Sequence, residues 1–184
     1  MATWLWIVIV IVAIALIALV ALAVRRRRRV EELRQGFGPE YERTVERTGD
    51  ERQAQADLLE RQRRHDELEL RPLDPHARKR FVDAWQVTQA EFVDDPGAAI
   101  QDADDLIQSV MRDRGYPVED FDDRAAIISV DHPVVVERYR RAHSIAVANA
   151  DGERDTEALR RAMHDYRALF DELVEDAVPD RARA

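Results

Sequence analysis

The chain has five histidines, His65, His76, His132, His143 and His164, and these are the first side chains to test for chemistry. None forms a His-x-x-x-His or His-Glu-x-x-His pair, the spacing that sets two ligands on one helix face, so zinc ligation has no local support. The nearest approach to a site is Ser129-Val130-Asp131-His132-Pro133, followed by Tyr139, Arg140 and His143. In a catalytic reading, Asp131 orients His132 as a general base. In the simpler reading Asp131 caps a helix, His132 occupies its first turn and His143 lies partly buried beside Tyr139. The local spacing favours the cap.

Nucleophiles are scarcer still. The three serines, Ser109, Ser129 and Ser144, lie outside any Gly-x-Ser-x-Gly elbow. The chain has no Cys, which excludes thiolate catalysis and disulfides and fits a reducing compartment. Acidic runs occur at Asp94-Asp95, at Asp102, Asp104 and Asp105, and at Glu119-Asp120 with Asp122-Asp123. Clustered carboxylates can hold calcium or magnesium, but the Asp-x-Asp-x-Asp-Gly loop with its distant Glu is absent. Acids at a helix start complement the helix dipole, and this accounts for Asp94, Asp95, Asp120 and Asp122. Gly36-Phe37-Gly38 is too short for a phosphate cradle and follows no strand. The expectation is a protein that is not an enzyme, with no cofactor, no metal and no catalytic residue.

These residues lie on elements whose punctuation is regular. Asp74-Pro75 and Asp95-Pro96 each place a capping acceptor before a proline at the first helical position, and Asp131-His132-Pro133 is a looser version. Behind Asp74, the residues Ala77, Phe81, Ala84, Trp85, Thr88 and Phe92 recur at spacings of three and four. Behind Asp95, Ala99, Ala103, Leu106, Ile107 and Val110 do the same, and Gly115 with Pro117 ends the helix. A segment from about 120 to 129 presents Phe121, Ala125 and Ile128, and one from about 133 to 149 presents Val135, Tyr139, Ala142 and Ala146. The last, from about 156 to 177, carries Leu159, Met163, Tyr166, Phe170, Leu173 and Ala177, with Asp155 or Thr156 as its cap. No period-two alternation appears, so the fold class is all-α without a sheet. Residues 74–178 read as a bundle of about five helices with Trp85 at its centre, and residues 179–184 as a flexible tail.

Residues 30–73 are dense in charge and poor in large apolar groups. Gly36, Gly38 and Pro39 mark one break and Gly49-Asp50 a second. From Asp50 to Leu70, opposite charges at helical spacing suit a solvated helix, and the segment reads as a charged helical stalk, with a short coiled coil as an option.

Ahead of it, residues 4–24 form 21 consecutive positions without charge, Gly or Pro. At about 1.5 Å per residue they span roughly 30 Å, the thickness of a bilayer's hydrocarbon layer. A cleaved signal would carry its basic residues before the apolar core, whereas here Arg25, Arg26, Arg27, Arg28 and Arg29 follow it. The expectation is a single-pass anchor, residues 1–29, in the plasma membrane. Trp4 and Trp6 stand at the outer interface and the five arginines at the inner one, with the N-terminus outside and the body cytoplasmic. From residue 30 onward there are 23 basic and 37 acidic residues, a formal net of −14. Such a body is repelled by phosphates, which argues against nucleic acid as a partner. The expected partners are the lipid bilayer and a protein, with self-association through anchor or stalk as a further option.

Phe37-Gly38-Pro39-Glu40-Tyr41 with Arg43-Thr44-Val45, Arg71-Pro72-Leu73, Phe92-Val93-Asp94, Arg114-Gly115-Tyr116-Pro117-Val118, Ser129-Val130-Asp131-His132-Pro133 and Tyr166-Arg167-Ala168-Leu169-Phe170 stand together over most of residues 36–175. In this combination the chain resembles a family of uncharacterised, largely actinobacterial proteins that join an N-terminal membrane segment to a helical domain. The resemblance implies a membrane-anchored bacterial protein and carries over no activity, ligand or site residue. Together these features suggest a membrane-tethered helical interaction or scaffolding module. The alternative is a small-molecule sensor or enzyme with a pocket between helices, using Tyr116, Tyr139, His132 and Arg140 as polar contacts.

Overall fold

Proline at the first turn and aspartate before it start two of the helices, as the spacing predicts. The Asp74 carboxylate accepts the His76 amide and the Asp95 carboxylate accepts the Ala98 amide, satisfying donors that would otherwise be orphaned at each helix start. Asp120 and Asp155 do the same for the Asp123 amide and for the Glu157 and Ala158 amides.

The chain is seen here as a computed structural model that describes the backbone of residues 2–152 and 155–175, and their side chains except at 2–13, 15 and 26. Eight α-helices and no strand occur among the described residues. They are α1 (Ala2–Phe37), α2 (Pro39–Thr48), α3 (Glu51–Asp66), α4 (Pro75–Glu91), α5 (Pro96–Arg114), α6 (Phe121–Asp131), α7 (Val136–Ala150) and α8 (Thr156–Glu175). The fold is all-α. Ala177 and the tail, residues 179–184, lie outside the described residues.

Helices α4 to α8 close around one apolar core, because each buries a single stripe against its neighbours. The stripes contribute Trp85, Ala99, Ala103, Ile107, Val110, Ala125, Ile128, Tyr139, Ala142, Leu159, Tyr166, Phe170 and Leu173. Helix α8 packs on both α5 and α7 and forms the centre of the bundle. Trp85 is 2% exposed and stacks on Phe170 of α8, ring centroids 4.7 Å apart.

Residues 30–73, which read as a stalk, lie against this bundle. Helix α1 continues through Gly36 and ends at Phe37, with Gly38 turning the chain in the left-handed region at φ 47° before Pro39 opens α2. Leu33 and Phe37 of α1, Tyr41 of α2 and Leu58 of α3 bury one another in a second, smaller cluster, which meets the bundle at Val130 of α6. The neighbours of α3 include α1, α2 and α6 of its own chain. After α3 the chain runs back over the C-terminus of α5, where the Arg71 amide and guanidinium donate to the Arg114 and Asp113 carbonyls. Gly115 is required there twice over. Its φ is 93°, and a Cβ would lie 2.9 Å from the Glu69 carbonyl oxygen.

One expectation is overturned. Among the described residues no helix is long and apolar enough to cross a membrane. The placement as a single-pass protein of the plasma membrane, with the N-terminus outside and the body in the cytoplasm, is corrected accordingly. Of the interface residues expected with it, the side chains of Trp4, Trp6 and Arg26 lie outside the described residues, while Arg25, Arg27, Arg28 and Arg29 are exposed on α1.

Because Trp85 fills the space between α4 and α8, Trp85→Ala should destabilise the protein by about 3 to 5 kcal/mol. A thermal melt of the variant checks this, and an unchanged midpoint would contradict the core position of the ring.

Candidate functional site

Glu40 sits in the first turn of α2, where its carboxylate is 2% exposed. Two guanidinium groups from distant helices converge on it. Arg61 of α3 donates from Nη1 to Oε1 at 2.7 Å, and Arg140 of α7 donates from Nη1 to Oε2 at 2.6 Å and from Nη2 to Oε1 at 2.9 Å. The outer side of each arginine is also engaged. Asp57 receives the second fork of Arg61, and Glu137 lies 3.5 Å from Arg140 and 3.3 Å from Arg43. Burial alone would raise the pKa of Glu40, but the hydrogen bonds and charges of Arg140 and Arg61 outweigh it and hold the carboxyl below its ordinary value. Three helices are thereby joined at a single charged point.

A second polar cluster involves Asp131, the residue singled out in sequence. It is the last residue of α6, and α7 starts at Val136 behind Val135, without a side-chain cap. Asp131 therefore does not cap the following helix. Its Oδ2 instead accepts a hydrogen bond from the Tyr116 hydroxyl at 2.8 Å and lies 2.6 Å from Nε2 of His65 on α3. The histidine that Asp131 orients is therefore His65, 66 positions away, rather than the adjacent His132. His132 is buried and turns Nδ1 to Glu172 of α8 at 3.4 Å. The local pattern around Asp131 contained no sign of His65, because the contact arises only when α3 folds onto α6.

The other expected polar contacts do not meet in one place. Tyr139 is buried in the bundle, where its hydroxyl accepts from Arg124 Nε at 3.1 Å. His143 stacks on Phe121, ring centroids 3.7 Å apart, and lies 3.5 Å from Asp104. Asp104 also accepts from the Tyr166 hydroxyl at 2.9 Å and from Gln108 at 2.8 Å, so it anchors a polar point inside the core. Burial raises the pKa of the Tyr166 hydroxyl, and the Asp104 charge raises it further. Arg140 is held by Glu40.

A cleft of about 540 Å³ opens beside the Asp131 cluster, between α1, α3, the α6–α7 turn and α8. Leu33, Phe37, Leu59 and Val130 form its apolar walls, and Arg29, Glu32, Gln62, Asp131, His132 and Glu172 are its polar groups. Of the four contacts expected for a pocket, only His132 lines it. The hydroxyl groups of Ser109 and Ser129 each donate to a carbonyl of their own helix, those of Asp105 and Ala126. Among the described residues no group of three or more His, Asp or Glu side chains could hold a metal ion. The arrangement is chemically suited to fixing helices against one another through buried charge.

The chain matches no protein-family model, no curated protein and no solved structure.

Removing the Glu40 charge leaves two nearly buried guanidinium groups with only their outer partners, Asp57 and Glu137. Glu40→Gln should cost about 3 to 5 kcal/mol in denaturant unfolding at neutral pH. The sign of the pH dependence follows from a depressed carboxyl pKa. The Glu40 contribution is fully present above its unfolded value of 4.5 and is lost as pH falls through the lower folded value. Acid unfolding of the native chain should therefore be steeper than that of the Gln variant, and matching acid profiles would exclude this role.

Proposed function

We propose that this chain is a helical interaction or scaffolding module, in which a rigid folded body presents α1 to a protein partner or to further copies of itself. One observation carries this reading. Ile14, Leu16, Ile17, Leu19, Val20, Leu22 and Val24 of α1 stand 44 to 69% exposed, and at about 100° per residue they project to every side of the helix. A contiguous apolar surface of this kind marks an interaction site, and a helix apolar all round is normally enclosed rather than touched along one face. The charges of the body support the reading, since its buried arginines and carboxylates are committed to joining helices. No reaction is assigned to it.

A second reading, a small-molecule site, draws on the cleft beside His132, with its apolar walls and charged rim. It has less support, because Tyr116, Tyr139 and Arg140 are engaged elsewhere.

The test is crosslinking of the purified full chain, with size measured in parallel. The native chain should form higher-order species or retain a partner, and the double substitution Leu19→Asp with Leu22→Asp should abolish this while leaving the thermal melt of the body unchanged. A native chain that stays monomeric and partnerless would overturn the module reading.

A further inference from the structure

We infer that the contact between His65 and Asp131 is a pH-sensitive latch on the seam between α3 and α6, which adds to the hold of the Glu40 network and borders the cleft beside Asp131. Among the described residues, three polar side-chain contacts join α3 to α6. Arg64 pairs with Asp123 through two bonds of 3.0 and 3.1 Å, Arg61 reaches Ser129 at 3.4 Å, and His65 meets Asp131 at 2.6 Å. The Arg64 pair is exposed on both sides, where ion pairs contribute little. The His65 pair is mostly buried, and it alone contains a group whose charge changes near neutral pH.

The charged groups around the pair decide the direction of the effect. From α6, Asp131 faces His65 Nε2; from α3 itself, Asp66 Oδ1 lies 3.6 Å from His65 Nδ1. Tyr116, from the α5–α6 connection, donates to the same Asp131 oxygen. His132 follows Asp131 and faces Glu172 of α8, and Arg29 and Glu32 of α1 line the adjoining cleft. With His65 protonated, Nε2–H and Nδ1–H each point to a carboxylate. Once the ring is neutral, Nε2–H still reaches Asp131, but Nδ1 becomes a buried lone pair with no hydrogen-bond partner, turned towards the Asp66 carboxylate. Deprotonation thus removes an attraction and leaves a repulsion in its place.

Burial lowers the pKa of His65, and the hydrogen bond and charge of Asp131, followed by those of Asp66, overcome it, so the net displacement is upward from 6.5. A raised histidine pKa contributes stability that is complete below 6.5 and is lost as pH rises through the folded value. For Asp131, burial raises the pKa, but the hydrogen bond and charge of His65 and the bond from Tyr116 leave it below 3.8. Its contribution is present above 3.8 and lost as pH falls through the lower folded value. The latch is therefore closed through the mildly acidic range and loosens on the alkaline side.

Amide hydrogen exchange on the full chain, corrected for intrinsic rates and compared at about pH 6 and about pH 8.5, reads the latch directly. Protection of α3 should fall about fivefold or more relative to α8 across that interval, and His65→Gln should remove the difference. Equal α3 protection at both pH values, or an undiminished difference in the Gln variant, would overturn the latch. The ring proton signals of His65 in the native chain supply a measurement that does not depend on a variant folding. A midpoint above 6.5 supports the latch, and one at or below it rejects it.

Discussion

A carboxylate withdrawn from water is stable only if its lost hydration is replaced by donors in good geometry, and Glu40 meets that condition in one arrangement of the chain. Its partners, Arg61 and Arg140, lie 21 and 100 positions away in sequence. With α2, α3 and α7 at any other register, a charge would be left buried and unpaired, at a cost of several kcal/mol. The apolar contacts around it do not enforce a register to the same degree, because Leu33, Phe37, Tyr41 and Leu58 could bury similar area in neighbouring alignments. The position of the N-terminal helices on the bundle therefore depends on Glu40.

The same device recurs at smaller scale. Inside the bundle, Asp104 joins Tyr166 of α8 and Gln108 and lies beside His143 of α7, so a polar point lies within an otherwise apolar interface. At the α3–α6 seam, Asp131 joins His65 and Tyr116. In each case one carboxylate receives several donors from different elements, which combines specificity with full satisfaction of a buried polar group. The use of Arg in place of Lys belongs with this. All but one of the 28 Lys and Arg residues are Arg, and the planar guanidinium fork can bridge two carboxylates at once, as Arg61 does between Glu40 and Asp57. A lysine ammonium could not hold the same geometry.

The bundle was legible in the sequence because its signals are local. Proline after aspartate sets a helix start, glycine an end, and apolar residues three and four apart a buried face, so α4 to α8 and Trp85 could be placed from neighbours alone. The segment 30–73 was harder to read. Its charge density suggested a solvated helix, since Arg61 and Glu40 look like any exposed ion pair until α7 supplies the third member. Asp131 illustrates the same limit, because the adjacent His132 invited a local pairing and the actual partner came from another helix.

By itself, then, the sequence determined the helical class, the starts of α4, α5 and α8 with their capping aspartates, and most of the stripe that each bundle helix buries. These follow from backbone hydrogen-bonding and side-chain periodicity, which act over a few residues. The tertiary structure alone decided that α1 to α3 fold onto the bundle, that Glu40, Asp131 and Asp104 are the points where helices are joined, and that His65 is the titratable member of the α3 seam. Those outcomes depend on charges brought together across long separations, and the gain from pairing two charges appears only once both have been removed from water.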